Sequence, residues 1–373
     1  MLQFAIPCLL GLESLVGDEV KKLGLADVRV ENGRVLCRGE ERDLARLNIN
    51  LRCGARVLLV LASFRAADFE ALFQGTRAVR WEDWVPREGE FPVTGYSINS
   101  TLHSVPACQS IVKKAVAARL GAAYGLQTLP ETGKRYQIRF SIMKDEVMLC
   151  LDASGEGLYK RGYRAVGVAA PLKETLAAAM VKLSHYNGRD PFCDPFCGSG
   201  TIAIEAALIA RNRAPGLNRS FAAQHWAMVD KRIWLDAEDE AMDNEFHDKT
   251  YEIWGGDIDP HAVEIARHNA ELAGVDDTVR FEVDDATRFH WGGQYGRVVT
   301  NPPYGERLLE QKEAEELYRA FGRAVDKLPE TWRVYVLSSH TEFERCFGRI
   351  ADKKRKLYNG MLKCDLFMYG KRL

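Results

Sequence analysis

The second half of the chain alternates strand-like and helix-like segments, and this alternation restricts the fold more than any other feature. The apolar segments "PFCD", "TYEIWGGD", "VRFEV", "RVVT" and "RVYVLSS" alternate with amphipathic ones such as "TIAIEAALIARN" and "HAVEIARHNAELAG". Strands that alternate with helices of roughly 10–15 residues are typical of a parallel sheet covered by helices on both faces. The sequence therefore predicts a doubly wound α/β domain over residues 165–373, with Pro171 near the start of its first helix, "APLKETLAAAMVKLSHY".

The first part of the chain has a different, mixed α+β pattern. Its turn residues predict two hairpins, one turning at Asn32-Gly33 and one at Lys144-Asp145, and "SIVKKAVAARLGAAYG" predicts a helix that ends at Gly125. The glycine-rich "SGEGLYKRGYRAVG" marks the exit from this region. We expect two N-terminal units, residues 1–65 and 66–160.

Composition excludes several classes of protein. The 46% hydrophobic and 28% charged residues are ordinary for a globular protein, and no apolar run approaches the roughly 20 residues that cross a bilayer. The start lacks the features of a signal peptide, and the nine cysteines are scattered, so we expect a cytoplasmic protein without a membrane contact. Cys193 and Cys197 lack a second ligand pair at finger spacing, and we expect no metal site.

The net charge of −1 hides an asymmetry along the chain. Residues 1–165 carry 23 basic against 19 acidic residues, and the rest carries 28 against 33. The last 21 residues have seven basic and one acidic residue, whereas the run "DAEDEAMDNEFHD" is strongly acidic and is expected to be a solvated face. Local basic patches on a near-neutral chain fit partial contact with a polyanion.

A glycine turn follows the first predicted strand of the α/β domain. In "DPFCGSGT", Gly198 and Gly200 would permit positive φ and a close approach of the backbone to a ligand. The spacing also satisfies the relaxed dinucleotide fingerprint, so nicotinamide binding is an alternative. However, the next strand-end carboxylate, Asp257, comes much later than that fingerprint expects, and Asp194 beside the turn suits a cationic amine better than a pyrophosphate.

Carboxylates also end the next two strands. Asp257 in "GGDIDP" can accept both hydroxyls of a ribose, while Asp259 before Pro260 is a natural helix N-cap. Asp285 in "VDDATRF" can accept from an adenine amine. Because the carboxyl ends of parallel strands share one edge, these groups predict a ligand with an amine, a ribose and an adenine, which S-adenosylmethionine has.

The fourth strand ends in "TNPPYG", where two prolines stop the strand and stiffen the bend that holds Asn301 and Tyr304. This motif, together with "DPFCGSGT", "GDIDP" and "DDA", resembles the amino-methyltransferase branch of the Rossmann-like S-adenosylmethionine-dependent methyltransferases. The resemblance implies that Asn301 and the Pro302 carbonyl accept hydrogen bonds from an exocyclic amine, that Pro303 completes the motif and that Tyr304 stacks on the base. It implies a cofactor site formed by Asp194, Pro195, Cys197, Gly198, Ser199, Gly200, Thr201, Asp257, Ile258, Asp285, Ala286 and Asn301.

The segments "LDASGEGLYKRGYR", "PLKETLAAAM" and "RAPGLNRSFAAQHW" resemble bacterial 23S ribosomal RNA guanine-N2 methyltransferases, in a short form. That resemblance implies a ferredoxin-like segment and an RNA-binding THUMP domain before the catalytic domain, and a monomer or homodimer acting on ribosomal RNA. Candidate phosphate contacts are Lys113, Lys114, Lys134, Arg135, Lys160, Arg161 and Arg164. A guanine-N2 enzyme for transfer RNA, an adenine-N6 methyltransferase for RNA or DNA, a non-catalytic RNA-binding protein and a dehydrogenase remain as alternatives.

Overall fold

The computed structural model describes residues 1–164, 172–304 and 311–370, and the strands in these ranges form two sheets. The N-terminal lobe, residues 1–152, holds the first sheet. Its strands are β1 (Leu2–Pro7), β2 (Ala26–Glu31), β3 (Arg34–Gly39), β4 (Leu58–Arg65), β5 (Val93–Ile98), β6 (Ile138–Met143) and β7 (Glu146–Asp152). Its helices are α1 (Glu13–Lys22), α2 (Arg42–Asn50), α3 (Phe69–Ala78) and α4 (Val105–Tyr124). The predicted domain start at residue 165 and Pro171 lie outside the described residues.

The first sheet has the order β2-β3-β1-β4-β7-β6-β5 and runs through both predicted N-terminal units. Strand β4 pairs with β1 on one side and with β7 on the other. Both predicted hairpins are confirmed: Gly33 has φ +75°, and Lys144 and Asp145 have φ +53° and +64°, the positive values that tight hairpin turns need. Helix α4 ends at Gly125, as predicted, with φ +64°.

The C-terminal lobe, residues 172–370, holds the second sheet. Its strands are β8 (Phe192–Asp194), β9 (Ile253–Asp257), β10 (Val279–Val283), β11 (Arg297–Thr300), β12 (Arg333–Ser338), β13 (Lys353–Asn359) and β14 (Leu362–Tyr369). Its helices are α5 (Glu174–Leu183), α6 (Thr201–Ala210), α7 (Arg232–Asp243), α8 (Pro260–Ala273), α9 (Gln311–Val325) and α10 (Phe343–Phe347). The order is β10-β9-β8-β11-β12-β14-β13, with the first five strands parallel and the β13–β14 hairpin antiparallel at one edge.

Helices cover both faces of this sheet, as the alternation predicts. In β11, Val298 packs into a cluster with α9, whereas the next residue, Val299, packs into the larger core that contains α5, α6 and α8. Successive strand residues point to opposite faces, so both faces of β11 are buried. The α/β fold class is therefore confirmed. The basic last part of the chain, whose side chains were expected to add polyanion contacts, folds largely as the β13–β14 hairpin.

The two lobes are joined by buried ion pairs. A linking segment, residues 153–164, brings Arg161 against Glu205 of α6, and Lys182 of α5 pairs with Glu19 of α1 at 2.7 Å. Part of the acidic run is not a solvated face, because Glu245 is buried and pairs with Arg211 and Arg213. No helix in the described ranges is long and apolar enough to span a membrane.

Candidate functional site

The candidate site lies where the strand order reverses, between β8 and β11. Chain connections leave the neighbouring strands β8 and β11 in opposite directions, and the reversal opens a crevice at their carboxyl ends. Strands β8, β9 and β11 end at Asp194, Asp257 and Thr300, so the glycine turn and the Asn-Pro-Pro-Tyr motif begin side by side.

The glycine turn connects β8 to α6, and its two glycines have different surroundings. Both have positive φ, +50° at Gly198 and +82° at Gly200. A Cβ at Gly200 would lie 2.8 Å from Phe281 and 2.9 Å from Ala266, whereas a Cβ at Gly198 would meet no atom within 4 Å. Gly200 therefore allows close helix–strand packing, and Gly198 leaves open space over the turn.

The glycine turn is supported by Asn269 of α8, a residue that was not among the predicted site residues. Asn269 of α8 is buried and donates from Nδ2 to the Ser199 carbonyl at 2.9 Å. A polar residue on the buried face of an amphipathic helix was the available sequence signal. Cys197, Ser199 and Thr201 are themselves buried, so they present mainly backbone to the crevice.

Asp194 connects the cofactor turn to the motif strand. Its carboxylate is 1% exposed, and Oδ1 accepts a hydrogen bond from Thr300 Oγ1 at 2.6 Å. Burial raises the pKa of Asp194 to about 7, although the bond from Thr300 opposes the increase. Among the described residues, Oδ2 is buried without a hydrogen-bond partner. A buried carboxylate oxygen without a partner is suited to a cationic or donor group of a ligand.

Asp257 is fixed at the end of β9 by two backbone amides. Gly198 N–H donates to Oδ2 at 2.9 Å and Asp259 N–H donates to Oδ1 at 3.0 Å. Each carboxylate oxygen accepts more than one hydrogen bond, so both can still receive ribose hydroxyls. The next residue, Ile258, is 72% exposed and presents an apolar surface suited to a flat ring. Asp259 caps α8 by accepting from His261 N–H, as predicted.

Asp285 follows β10 and caps a short 3-10 turn, residues 286–288. Its Oδ1 accepts from both the amide and the hydroxyl of Thr287, at 2.9 and 2.7 Å. These bonds lower the pKa of Asp285, so the carboxylate is ionised and oriented at neutral pH. Ala286 behind it is buried. These features fit S-adenosylmethionine. The buried Asp194 oxygen suits its amine, the open space over Gly198 lets a ligand approach the backbone, and the oriented carboxylates suit its polar edges.

The Asn-Pro-Pro-Tyr motif is held by hydrogen bonds from its own lobe. The Pro303 carbonyl accepts from the Tyr318 hydroxyl of α9 at 2.6 Å. The Tyr304 hydroxyl donates to Asn301 Oδ1 and lies 3.8 Å from the thiol of Cys364 in β14. Tyr304 is partly buried, and burial raises the pKa of its hydroxyl well above the usual value. Asn301 Oδ1 keeps a second lone pair for a substrate amine.

The predicted RNA contacts separate into exposed and buried groups. Lys114, Lys134 and Arg135 are exposed on the N-terminal lobe. Lys113 is half-buried, pairs with Glu131 at 2.6 Å and shares with Lys114 the lining of a cavity of about 500 Å³. Lys160 is exposed and pairs with Glu156.

The expectation that Arg161 and Arg164 contact RNA phosphates is corrected by the structure. The Arg161 side chain is 2% exposed and bonds to Glu205 and to the Leu158 carbonyl, so it cannot reach a phosphate. Arg164 faces the C-terminal lobe, donating to Thr201 Oγ1 at 2.8 Å next to the glycine turn. Arg161 also donates to the Leu51 and Arg52 carbonyls, so it holds the two lobes together, whereas Arg164 connects the linking segment to the C-terminal lobe.

Family models match three consecutive parts of the chain. An RlmL ferredoxin-like domain matches residues 3–58, a THUMP domain matches residues 66–152 and an RMKL-like methyltransferase domain matches residues 161–367. The putative RNA methyltransferase YpsC of Bacillus subtilis (strain 168) is 44% identical over 362 residues, covering 96% of this chain and 94% of that protein.

Solved structures resemble the chain over its whole length. The crystal structure of a predicted N6-adenine-specific DNA methylase from Listeria monocytogenes is 46% identical, with a TM-score of 0.93, covering 99% of this chain and 96% of that one. SMU.472, a putative methyltransferase complexed with SAH, is 42% identical with a TM-score of 0.92, covering 100% and 99%. The methyl donor of the family is accordingly S-adenosylmethionine, as expected from the strand-end motifs.

Proposed function

The chain belongs to the RMKL-like methyltransferase family, and on this premise we propose that it methylates the exocyclic N2 amine of a guanine in 23S ribosomal RNA. The observation that carries the proposal is the position of Asn301. Its side-chain oxygen lies at the end of β11, directly after Thr300, whose hydroxyl bonds to the cofactor-side Asp194. The amine acceptor and the cofactor turn are therefore coupled through one buried hydrogen bond.

The proposed residue roles follow from the chemistry of an aromatic amine. Its lone pair is delocalised into the ring, so the amine is a weak nucleophile. Asn301 Oδ1 and the Pro302 carbonyl would accept its two N–H bonds and orient the lone pair toward the methyl. Bound S-adenosylmethionine supplies a methyl group on a positively charged sulfur, and the sulfur keeps the electrons of the S–C bond when that bond breaks. The methylated amine is strongly acidic and releases its proton without a dedicated base.

The N-terminal lobe favours a structured RNA as the substrate. The THUMP match covers residues 66–152, and Lys114, Lys134 and Arg135 are exposed within it. Cationic side chains bind phosphates irrespective of sequence and can position a folded RNA over the crevice. A base within a helix cannot reach Asn301, so the target guanine would be unpaired or extruded.

Labelled S-adenosylmethionine tests the proposal with total RNA from a strain that lacks the gene. We expect label in N2-methylguanosine that maps to 23S ribosomal RNA, and we expect Asn301→Ala to abolish it. Asn187→Ala is the matched control, because Asn187 is an exposed amide before the amino end of β8. Label that maps to transfer RNA, or label in N6-methyladenosine of RNA or DNA, would replace the proposal with the corresponding alternative.

A further inference from the structure

The β13–β14 hairpin lies directly beside the Asn-Pro-Pro-Tyr motif. The Tyr304 hydroxyl contacts Cys364 Sγ of β14 at 3.8 Å, and Asn359 at the end of β13 lies on the same face of the hairpin as Cys364. The turn consists of Gly360, with φ +66°, and Met361. Because an extended residue spans at most about 3.6 Å, the Met361 Cα lies within about 7 Å of the Asn359 Cα. The hairpin tip is therefore next to the proposed target-base site.

The other end of the hairpin is fixed to the N-terminal lobe. Arg355 donates from Nε to the Gly11 carbonyl at 3.1 Å and also contacts Ser14. Gly11 has φ +92°, and a Cβ there would lie 2.9 Å from the Lys356 carbonyl, so the two backbones approach closely. Leu357 is fully buried between these contacts and the tip. The hairpin is thus anchored to both lobes while its tip projects outward.

The tip exposes an apolar side chain between cationic ones. Met361 is 99% exposed at the turn, and its unbranched, polarisable side chain can adapt to an irregular apolar surface. Strand alternation places Leu357, Asn359 and Cys364 on the packed face, and Lys356, Tyr358 and Lys363 on the opposite face. Lys363 and Lys356 are exposed, with Asp365 across the ladder from Lys356. An apolar tip flanked by cations fits a nucleic acid, whose bases are stacked and whose phosphates are negatively charged.

We propose that the hairpin tip is a wedge that enters the base stack of the RNA. Met361 fills the position vacated when the target guanine is extruded toward Asn301, and Lys363 and Lys356 contact the flanking phosphates. Apolar side chains inserted between base steps are a known means of stabilising an unstacked nucleic acid. The inference rests on the proposed function, because the extruded base is the one that Asn301 receives.

The test measures single-turnover methylation of folded 23S ribosomal RNA and of the same RNA fragmented into short single strands by mild alkali. We expect Met361→Ala to lower the rate on folded RNA at least about tenfold, because no side chain then fills the gap that the extruded base leaves in the stack. The same substitution should change the rate on fragments little. Met361→Leu keeps an apolar tip and should retain most of the rate. The matched control is Ile350→Ala, since Ile350 is 81% exposed beyond the opposite end of β13.

Two outcomes would overturn the wedge. A wild-type rate for Met361→Ala on folded RNA would show that the tip does not enter the stack. An equal loss on folded and fragmented RNA would show that the tip only supports the catalytic motif. By contrast, a wild-type enzyme that methylates DNA and neither RNA would overturn the proposed function itself, whatever the Met361 variants do.

Discussion

Alanine substitutions at the two glycines of the β8–α6 turn are expected to affect different properties: mainly cofactor binding at Gly198 and mainly stability at Gly200. Both residues have positive φ, so each substitution costs about 1–2 kcal/mol of unfolding free energy through backbone strain. At Gly200 the new Cβ also collides with Phe281 and Ala266, at 2.8 and 2.9 Å, which adds roughly 1–3 kcal/mol of overpacking. At Gly198 the Cβ meets nothing within 4 Å, so no overpacking is added.

The open space over Gly198 is where we propose that S-adenosylmethionine approaches the backbone. A Cβ there would stand between the turn and the ligand, so Gly198→Ala should weaken cofactor binding by about tenfold, equivalent to ~1.4 kcal/mol. The substitution keeps the N–H that donates to Asp257. Urea unfolding and isothermal titration calorimetry with S-adenosylmethionine measure the two effects separately on the same variants.

We expect Gly198→Ala to lose stability through backbone strain alone and to bind S-adenosylmethionine weakly, and we expect Gly200→Ala to be destabilised further by the overpacking. A wild-type dissociation constant for Gly198→Ala would refute the placement of the ligand over the turn. Equal stability of the two variants would refute the packing argument at Gly200, since backbone strain is common to both.

Four further predictions concern three charged residues and the hydroxyl group that donates to one of them. The pKa of Asp194 is raised from 3.8 to about 7, so its stabilising effect on the ligand-free protein is present below about pH 3.8 and is lost as the pH rises through 7. Calorimetry should show that the affinity for S-adenosylmethionine rises as the pH increases from 3.8 to 7. Asp194→Asn should flatten this pH profile of affinity. Thr300→Val removes the donor to Asp194 and should cost ~1–3 kcal/mol in thermal unfolding, whereas Thr300→Ser should cost less; equal costs would contradict the hydrogen-bond argument. Arg161→Met leaves Glu205 buried without its ion-pair partner, although the Tyr163 hydroxyl still donates to it, and should cost about 3–5 kcal/mol in urea unfolding. By contrast, Lys114→Met should leave stability intact and reduce the salt dependence of RNA binding in filter assays by about one unit of slope.

Local sequence patterns predicted the secondary structure well. Asp145 in the second hairpin turn and Gly125 at the helix end are residue types that tolerate positive φ, and both features appear where the turn chemistry placed them. The strand ends at Asp194 and Asp257 follow from apolar runs that stop at a polar residue. Because parallel strands share a carboxyl edge, local reasoning was enough to gather these groups at one edge of one sheet.

Charge and polarity were poorly predicted from the sequence, since their roles depend on partners distant in the chain. Arg161 looked like a surface cation but is buried against Glu205, 44 residues later. Glu245 belonged to an acidic run expected in solvent, yet it is buried between two arginines. Nothing local to either residue reveals these pairings.

Residue patterns were sufficient to predict the α/β class, the glycine turn, the strand-end carboxylates and the stiff bend at Asn301, because periodicity and turn chemistry act over a few neighbouring residues. The function of the motif at that bend came from the family resemblance. The folded chain alone shows that Thr300 donates to Asp194, that Asn269 supports the turn and that the basic C-terminal segment forms a hairpin beside Tyr304. These features come from strand order and from burial, which bring together residues separated by up to 106 positions. Burial then requires each polar group to find a partner, and that partner is set by the fold as a whole.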